Sequence, residues 1–112
     1  VTYKEIAISF LKLAASVDVR EAYLKYVHPD FIHHNAYFKG DRESLLVAME
    51  ENVQQFPDKK YETVRVLEEG DLVVVHGKVS FASGMVFSLI HIFRFEGDQI
   101  IEEWEASQEE LK

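Results

Sequence analysis

The sequence has no cysteine at any of its 112 positions, which removes disulfides, thiolate nucleophiles and thiolate zinc sites together. That absence fits a reducing compartment, and a cytoplasmic location is the expectation. Cations are scarce as well: 12 Lys and Arg stand against 20 Asp and Glu, a formal charge of −8. Nucleic acid demands clustered Lys and Arg, and an anionic membrane surface makes the same demand, so no nucleic-acid or membrane partner is expected. No apolar run approaches the roughly 18 residues that a spanning helix needs. No basic segment leads into an apolar core at the amino end, so no signal peptide is read. Phosphate-cradling glycine loops, dinucleotide fingerprints and Gly-x-Ser-x-Gly elbows are all missing. The five histidines form no His-Glu-x-x-His motif and no i, i+4 helical pair, so neither a metal nor any other cofactor is read.

What is present suits one globular domain over residues 1–112. Thr2 and Glu5 form a capping box ahead of Ile6, Ala7, Phe10, Leu13 and Ala14 at helical spacing. Asp18 with Glu21 opens a second, short helix over Val19 to Val27, which Pro29 closes. Phe31 to Asn35 reads as a brief strand. Asp41 caps a third helix with the stripe Leu45, Leu46, Met49, Val53 and Phe56, and Pro57 breaks it. Thereafter the period falls to two: Tyr61–Leu67, Leu72–Phe81, Met85–Phe95 and Gln99–Ser107 read as strands joined by short glycine-bearing turns. Short turns make antiparallel neighbours. The expected class is therefore α+β, with four main strands and a short N-terminal one wrapped around three N-terminal helices.

The last hairpin carries the candidate chemistry. Alternation sets Phe87, Leu89, His91, Phe93 and Phe95 on one face of its first strand. An imidazole on an apolar, aromatic face is either a satisfied core residue or the polar group of a pocket. Beyond Gly97-Asp98, Glu102, Glu103 and Glu105 flank Trp104. A two-residue turn continued without interruption places Trp104 opposite His91 and turns Glu103 and Glu105 away. A longer loop, or a bulge in the final strand, brings Glu105 opposite His91 instead. The sequence leaves that parity open, and a solvated strand edge is the plain reading for Glu102 and Glu103.

His33 and His34 point to opposite faces of their extended segment, so at most one joins a given pocket. Phe31, Tyr37 and Asn35 lie close by, and His76 falls at a pocket rim or in solvent. The strand Met85–Phe95 is apolar on its second face too, with Val86, Ile90 and Ile92 beside Ser88 and Arg94. An antiparallel sheet covered on one side by helices should be polar on the other. A homodimer formed through the back of the sheet is the expectation, with a few tolerated surface aliphatics as the alternative.

Four stretches in order, Ile32-His33-His34-Asn35, Gly40-Asp41, Glu69-Gly-Asp-Leu-Val-Val-Val-His76 and His91-Ile-Phe-Arg-Phe-Glu-Gly-Asp-Gln-Ile-Ile-Glu-Glu-Trp-Glu105, carry a family signal. The chain resembles the SnoaL-like polyketide cyclases of the nuclear-transport-factor-2-like superfamily, over roughly residues 6–108. The resemblance implies a cone, a curved sheet over three helices enclosing an apolar pocket, and often a sheet-to-sheet dimer. It also implies cofactor-free proton abstraction beside a carbonyl followed by aldol closure. Glu105 would be the general acid/base, His91 its partner, and His34 and Asn35 donors in the pocket. The ligand-contacting set would be Phe31, Tyr37, His76, Phe87, Leu89, Phe93 and Trp104. The chain departs from the family in carrying Glu105 and His91 where aspartate is usual.

Two functions compete on these grounds. In the first, the chain binds a small apolar, carbonyl-bearing metabolite, with cyclase or isomerase chemistry. In the second, it is a non-catalytic ligand-binding or dimeric interaction module in which His91 is structural.

Overall fold

Thr2 begins the first helix as its sequence requires: Oγ1 accepts a hydrogen bond from the Glu5 amide at 3.2 Å. The computed structural model describes residues 2–16, 18–34 and 40–111. Helix α1 (Tyr3–Ala14) buries Ile6, Ala7, Phe10, Leu11 and Ala14 along one stripe. Helix α2 (Val19–Tyr26) differs from expectation at both ends. Asp18 makes no side-chain capping bond, and the chain leaves the helix at Val27, directly into strand β1 (Val27–His34). Pro29 therefore lies inside a strand. That is tolerable because β1 is an edge strand whose register with its neighbour shifts between Val27 and Ile32. Helix α3 (Arg42–Gln55) opens on Asp41, which accepts from the Ser44 amide at 3.0 Å, and it buries Leu45, Leu46 and Val53.

The remaining strands, β2 (Lys60–Glu69), β3 (Leu72–Ser80), β4 (Val86–Glu96) and β5 (Gln99–Glu109), form the expected antiparallel meander. Strand β1 joins it in parallel to β5, giving the order β1-β5-β4-β3-β2. The expected α+β architecture is borne out, with three helices against one face of a curved, unclosed five-stranded sheet. No helix among the described residues is long and apolar enough to cross a membrane.

Helices and sheet meet through a dry layer of Val73, Val75, Phe93, Phe95 and Ile100 from the strands and Phe10, Ala22 and Tyr23 from the helices. Phe10 sets its edge against both Tyr23 and Phe93, and Tyr3 stacks flat on Phe95 at 4.4 Å. Gly77 lies opposite Leu89 on this inner face, and a Cβ there would stand 2.7 Å from the Tyr61 ring. Only a glycine lets Tyr61 lie across that strand.

The hairpin resolves the open parity with a bulge. Glu96 pairs with Gln99 and Phe95 with Ile100, but Arg94 then pairs with Glu102, so Ile101 is the extra residue. From there on His91 faces Glu105 and Ile92 faces Trp104. Glu103 and Glu105 thus share the inner face with His91, and Trp104 is turned to the back of the sheet.

Candidate functional site

Four ionisable side chains converge where β1, β5 and β4 run side by side. His91 comes from the centre of β4, Glu103 and Glu105 from β5 after the bulge, and His33 from β1, which pairs with Glu103. His33, His91 and Glu103 are buried, and the Glu105 side chain is 30% exposed. His91 Nδ1–H donates to Glu103 Oε2 at 2.7 Å. His33 Nε2–H donates to Glu105 Oε1 at 3.1 Å and lies 3.6 Å from Glu103 Oε2. His91 Nδ1 is 3.9 Å from Glu105 Oε1, so imidazoles and carboxylates alternate around a closed ring.

Burial by itself would strip these groups of charge; the pairing reverses that. For His33, burial opposes the charged form, but hydrogen bonds to Glu103 and Glu105 outweigh it and raise its pKa to about 9. For His91, burial again opposes, and the Glu103 hydrogen bond and charge prevail, raising its pKa. Burial pushes Glu103 upward, yet the His33 and His91 hydrogen bonds hold it below the ordinary carboxylate range. Glu103 is the buried carboxylate between the two imidazoles, and its hydrogen bonds favour the charged form of both.

The ring forms one wall of a partly open cavity of about 290 Å³ between sheet and helices. The rest of the wall is mainly apolar, with Phe10, Leu11, Leu45 and Met49 from the helices and Val79, Phe87 and Leu89 from the strands. Two buried polar atoms on residues of this wall have no hydrogen-bond partner among the described residues: His91 Nε2 and Tyr23 Oη. Burial, and then the nearby Glu103 and Glu105 charges, push the Tyr23 hydroxyl upward, so it remains a donor. One atom each of His33, Glu103 and Glu105 lies within 4.8 Å of the others, a spacing that could hold a cation. A ligating histidine must be unprotonated, however, and the same carboxylates favour imidazolium at His33.

Of the residues singled out by sequence, His91, Glu105, Phe87 and Leu89 lie together on the cavity wall. Phe93 is wholly buried in the core beneath His91, its ring parallel to the imidazole at 5.7 Å. Phe31 is likewise core, with its ring between Tyr23 and His33. Three residues face the other way. His34 is on the back of the sheet, exposed, bonded to Glu102 at 2.7 Å and stacked on Trp104 at 5.1 Å. His76, opposite Ile90, bonds Ser88 Oγ at 3.0 Å on that same back face. These placements correct the pocket-side positions expected for His34 and Trp104, and strand alternation is the reason. Asn35 and Tyr37 lie outside the described residues.

Glu103, Tyr23 and Lys59 are cavity residues outside the expected set, and of the pair left open it is His33, not His34, that joins the cavity. Glu103 was hidden by the bulge, and His33 by its equivalence to His34 in a strand with aromatic or aliphatic residues on both faces. Tyr23 carried a weak signal, as the one hydroxyl on the buried stripe of α2.

The sequence profile of the SnoaL-like domain matches residues 9–103. The chain belongs to the SnoaL-like family. Among solved structures, IdmH of Streptomyces antibioticus, a candidate polyketide cyclase, is 19% identical at a TM-score of 0.78, over 96% of this chain and 93% of that one. A candidate polyketide cyclase from Acidithiobacillus ferrooxidans is also 19% identical, with a TM-score of 0.78, over 95% of this chain and 87% of that one. A nuclear-transport-factor-2-like protein of unknown function from Cytophaga hutchinsonii shares 16% identity at a TM-score of 0.77, over 96% and 91%. At these identities the likeness establishes the fold of this SnoaL-like chain and leaves its reaction open. No protein of curated function matches it.

Proposed function

We propose that this SnoaL-like chain binds a small apolar compound bearing a carbonyl group and moves a proton on the carbon beside it, as a cofactor-free isomerase or cyclase. One observation carries the reading. His91 is a buried imidazole on an apolar cavity wall, with Nδ1 tied to a buried carboxylate at 2.7 Å and Nε2 left without a partner among the described residues. A nitrogen desolvated and oriented in this way suits a polarised ligand oxygen better than a packing role. An apolar cavity of 150 Å³ holds benzene, so about 290 Å³ suits a compound near two fused rings.

In this mechanism His91 Nε2–H holds the carbonyl oxygen. The Glu105 carboxylate removes a proton from the adjacent carbon, and the electron pair of that C–H bond passes into the enolate held by His91. Glu105 then returns the proton to complete an isomerisation; in a ring closure the enolate carbon attacks a second carbonyl of the same molecule, whose oxygen takes the π electrons and then the proton from Glu105. Glu103 touches no reacting atom; its hydrogen bond orients His91 and favours the imidazolium form. The same reading gives the back of the sheet to a second copy of the chain, supported by Ile32, Leu67 and Ile90 at 52%, 65% and 39% exposure.

The test is deuterium incorporation beside the carbonyl of 2-tetralone, a two-ring ketone, followed by NMR in heavy water. The wild-type protein should accelerate exchange, and Glu105→Gln should lower the rate about a hundredfold. Equal rates in the two proteins would refute Glu105 as the base. Binding of the ketone with no exchange would return the cavity to the non-catalytic reading.

A further inference from the structure

Lys59 is the one Lys or Arg side chain among the described residues that line the cavity. It stands at the end remote from the histidines. Together with Phe81 and Phe87 it also lines an adjoining cleft, of about 400 Å³, between the end of α3 and the β3–β4 turn. Phe87 and His91 are four residues apart on β4, which at about 3.3 Å per residue separates their backbones by roughly 13 Å. The cavity thus has an acid/base end and a cationic mouth.

The Lys59 ammonium is poorly compensated. Its Nζ donates to Asn52 Oδ1, leaving two of its three hydrogens. Among the described residues no carboxylate forms an ion pair with it, in a chain carrying 20 acidic residues. Asp58, the residue before it, is exposed. Burial lowers the Lys59 pKa with no countering charge. Holding a half-buried cation without an anion costs stability, and the cost has no structural return here: Asn52 would be satisfied as well by water at the open mouth.

We infer that Lys59 and Asn52 form an anchor for a carboxylate on the ligand, so that the compound spanning the cavity is an apolar keto acid. Its carbonyl sits at His91 and its carboxylate at the mouth. A monoanion is favoured over a phosphate because one cation is available and the surrounding chain is acidic. This inference rests on the cavity being a ligand site, and it adds the polarity of the ligand.

The probes are 6-acetyl-2-naphthoate and the corresponding neutral carboxamide, titrated by calorimetry against the wild type, Lys59→Met and Lys59→Arg. The wild type should prefer the carboxylate about tenfold or more, as a charge-assisted bond implies, and added salt should narrow the preference. Lys59→Met should erase the preference by weakening the carboxylate at least tenfold more than the amide, and Lys59→Arg should keep part of it. Lys59→Met should also melt no lower than the wild type; a packing role for Lys59 predicts a lower melting point. A preference that is absent in the wild type, or that survives Lys59→Met, overturns the anchor, and amide binding then still upholds the cavity. Failure of both probes to bind the wild type overturns the anchor and the ligand site together.

Discussion

Replacing Glu103 by glutamine removes one negative charge from the centre of the ring and leaves its shape nearly intact. The loss can be worked from His33, whose pKa stands at about 9 in the folded protein against an ordinary value near 6.5. That difference corresponds to roughly 3 kcal/mol of preferential proton binding by the folded state. Glu105 shares in holding His33, while Glu103 alone bonds His91. The expected cost of Glu103→Gln is therefore about 2–4 kcal/mol, near the range for breaking a buried ion pair. For a chain of this length that lowers the melting temperature by roughly 10–15 °C.

The pH dependence carries the diagnosis. A histidine whose folded pKa is raised contributes stability that is fully present below its unfolded value and is lost as pH rises through the folded one. The depressed Glu103 carboxyl contributes above its unfolded value near 4.5 and loses that contribution as pH falls through its folded one. The gap between wild type and Glu103→Gln should thus be widest at about pH 5–6.5, shrink through pH 7–9, and be small above about pH 9. Urea denaturation across that range measures it, and the His33 imidazole resonances should titrate near neutrality in the variant. A gap under about 1 kcal/mol at pH 6, or one that does not narrow by pH 10, would refute the charged ring.

Two further outcomes are expected. Gly77→Ala should cost about 1–3 kcal/mol because the new Cβ meets the Tyr61 ring at 2.7 Å; the cost should vanish in a Tyr61→Leu background, as a double-mutant cycle would show. Ile90→Glu, on the back of the sheet, should convert a dimer to a monomer in sedimentation velocity with secondary structure unchanged. A wild-type monomer at tens of micromolar would defeat the dimer assignment.

Much of this was legible in the residues. Thr2 and Asp41 announce their helices by capping, and the change of period after Pro57 announces the meander, because both signals are local. The side of the sheet on which β5 presents its glutamates was not legible. It hinges on one extra residue, Ile101, packed into a strand with no glycine to mark the bulge. His33 and His34 are equivalent in composition and differ only in which face the β1–β5 pairing turns inward, a property of the assembled sheet. Asp18 shows the converse: a good capping residue in sequence, it makes no side-chain capping bond.

Trp104, stacked on His34 behind the sheet, has a spectroscopic consequence. It is the sole tryptophan, and its neighbours Glu103 and Glu105 point through to the other side. Its emission therefore gauges the outer surface alone: a blue shift marks coverage by another protein copy, and a compound entering the cavity leaves the spectrum still. The tyrosines lining the cavity, Tyr23 and Tyr61, supply the complementary signal, so a single cuvette can distinguish assembly from ligand uptake.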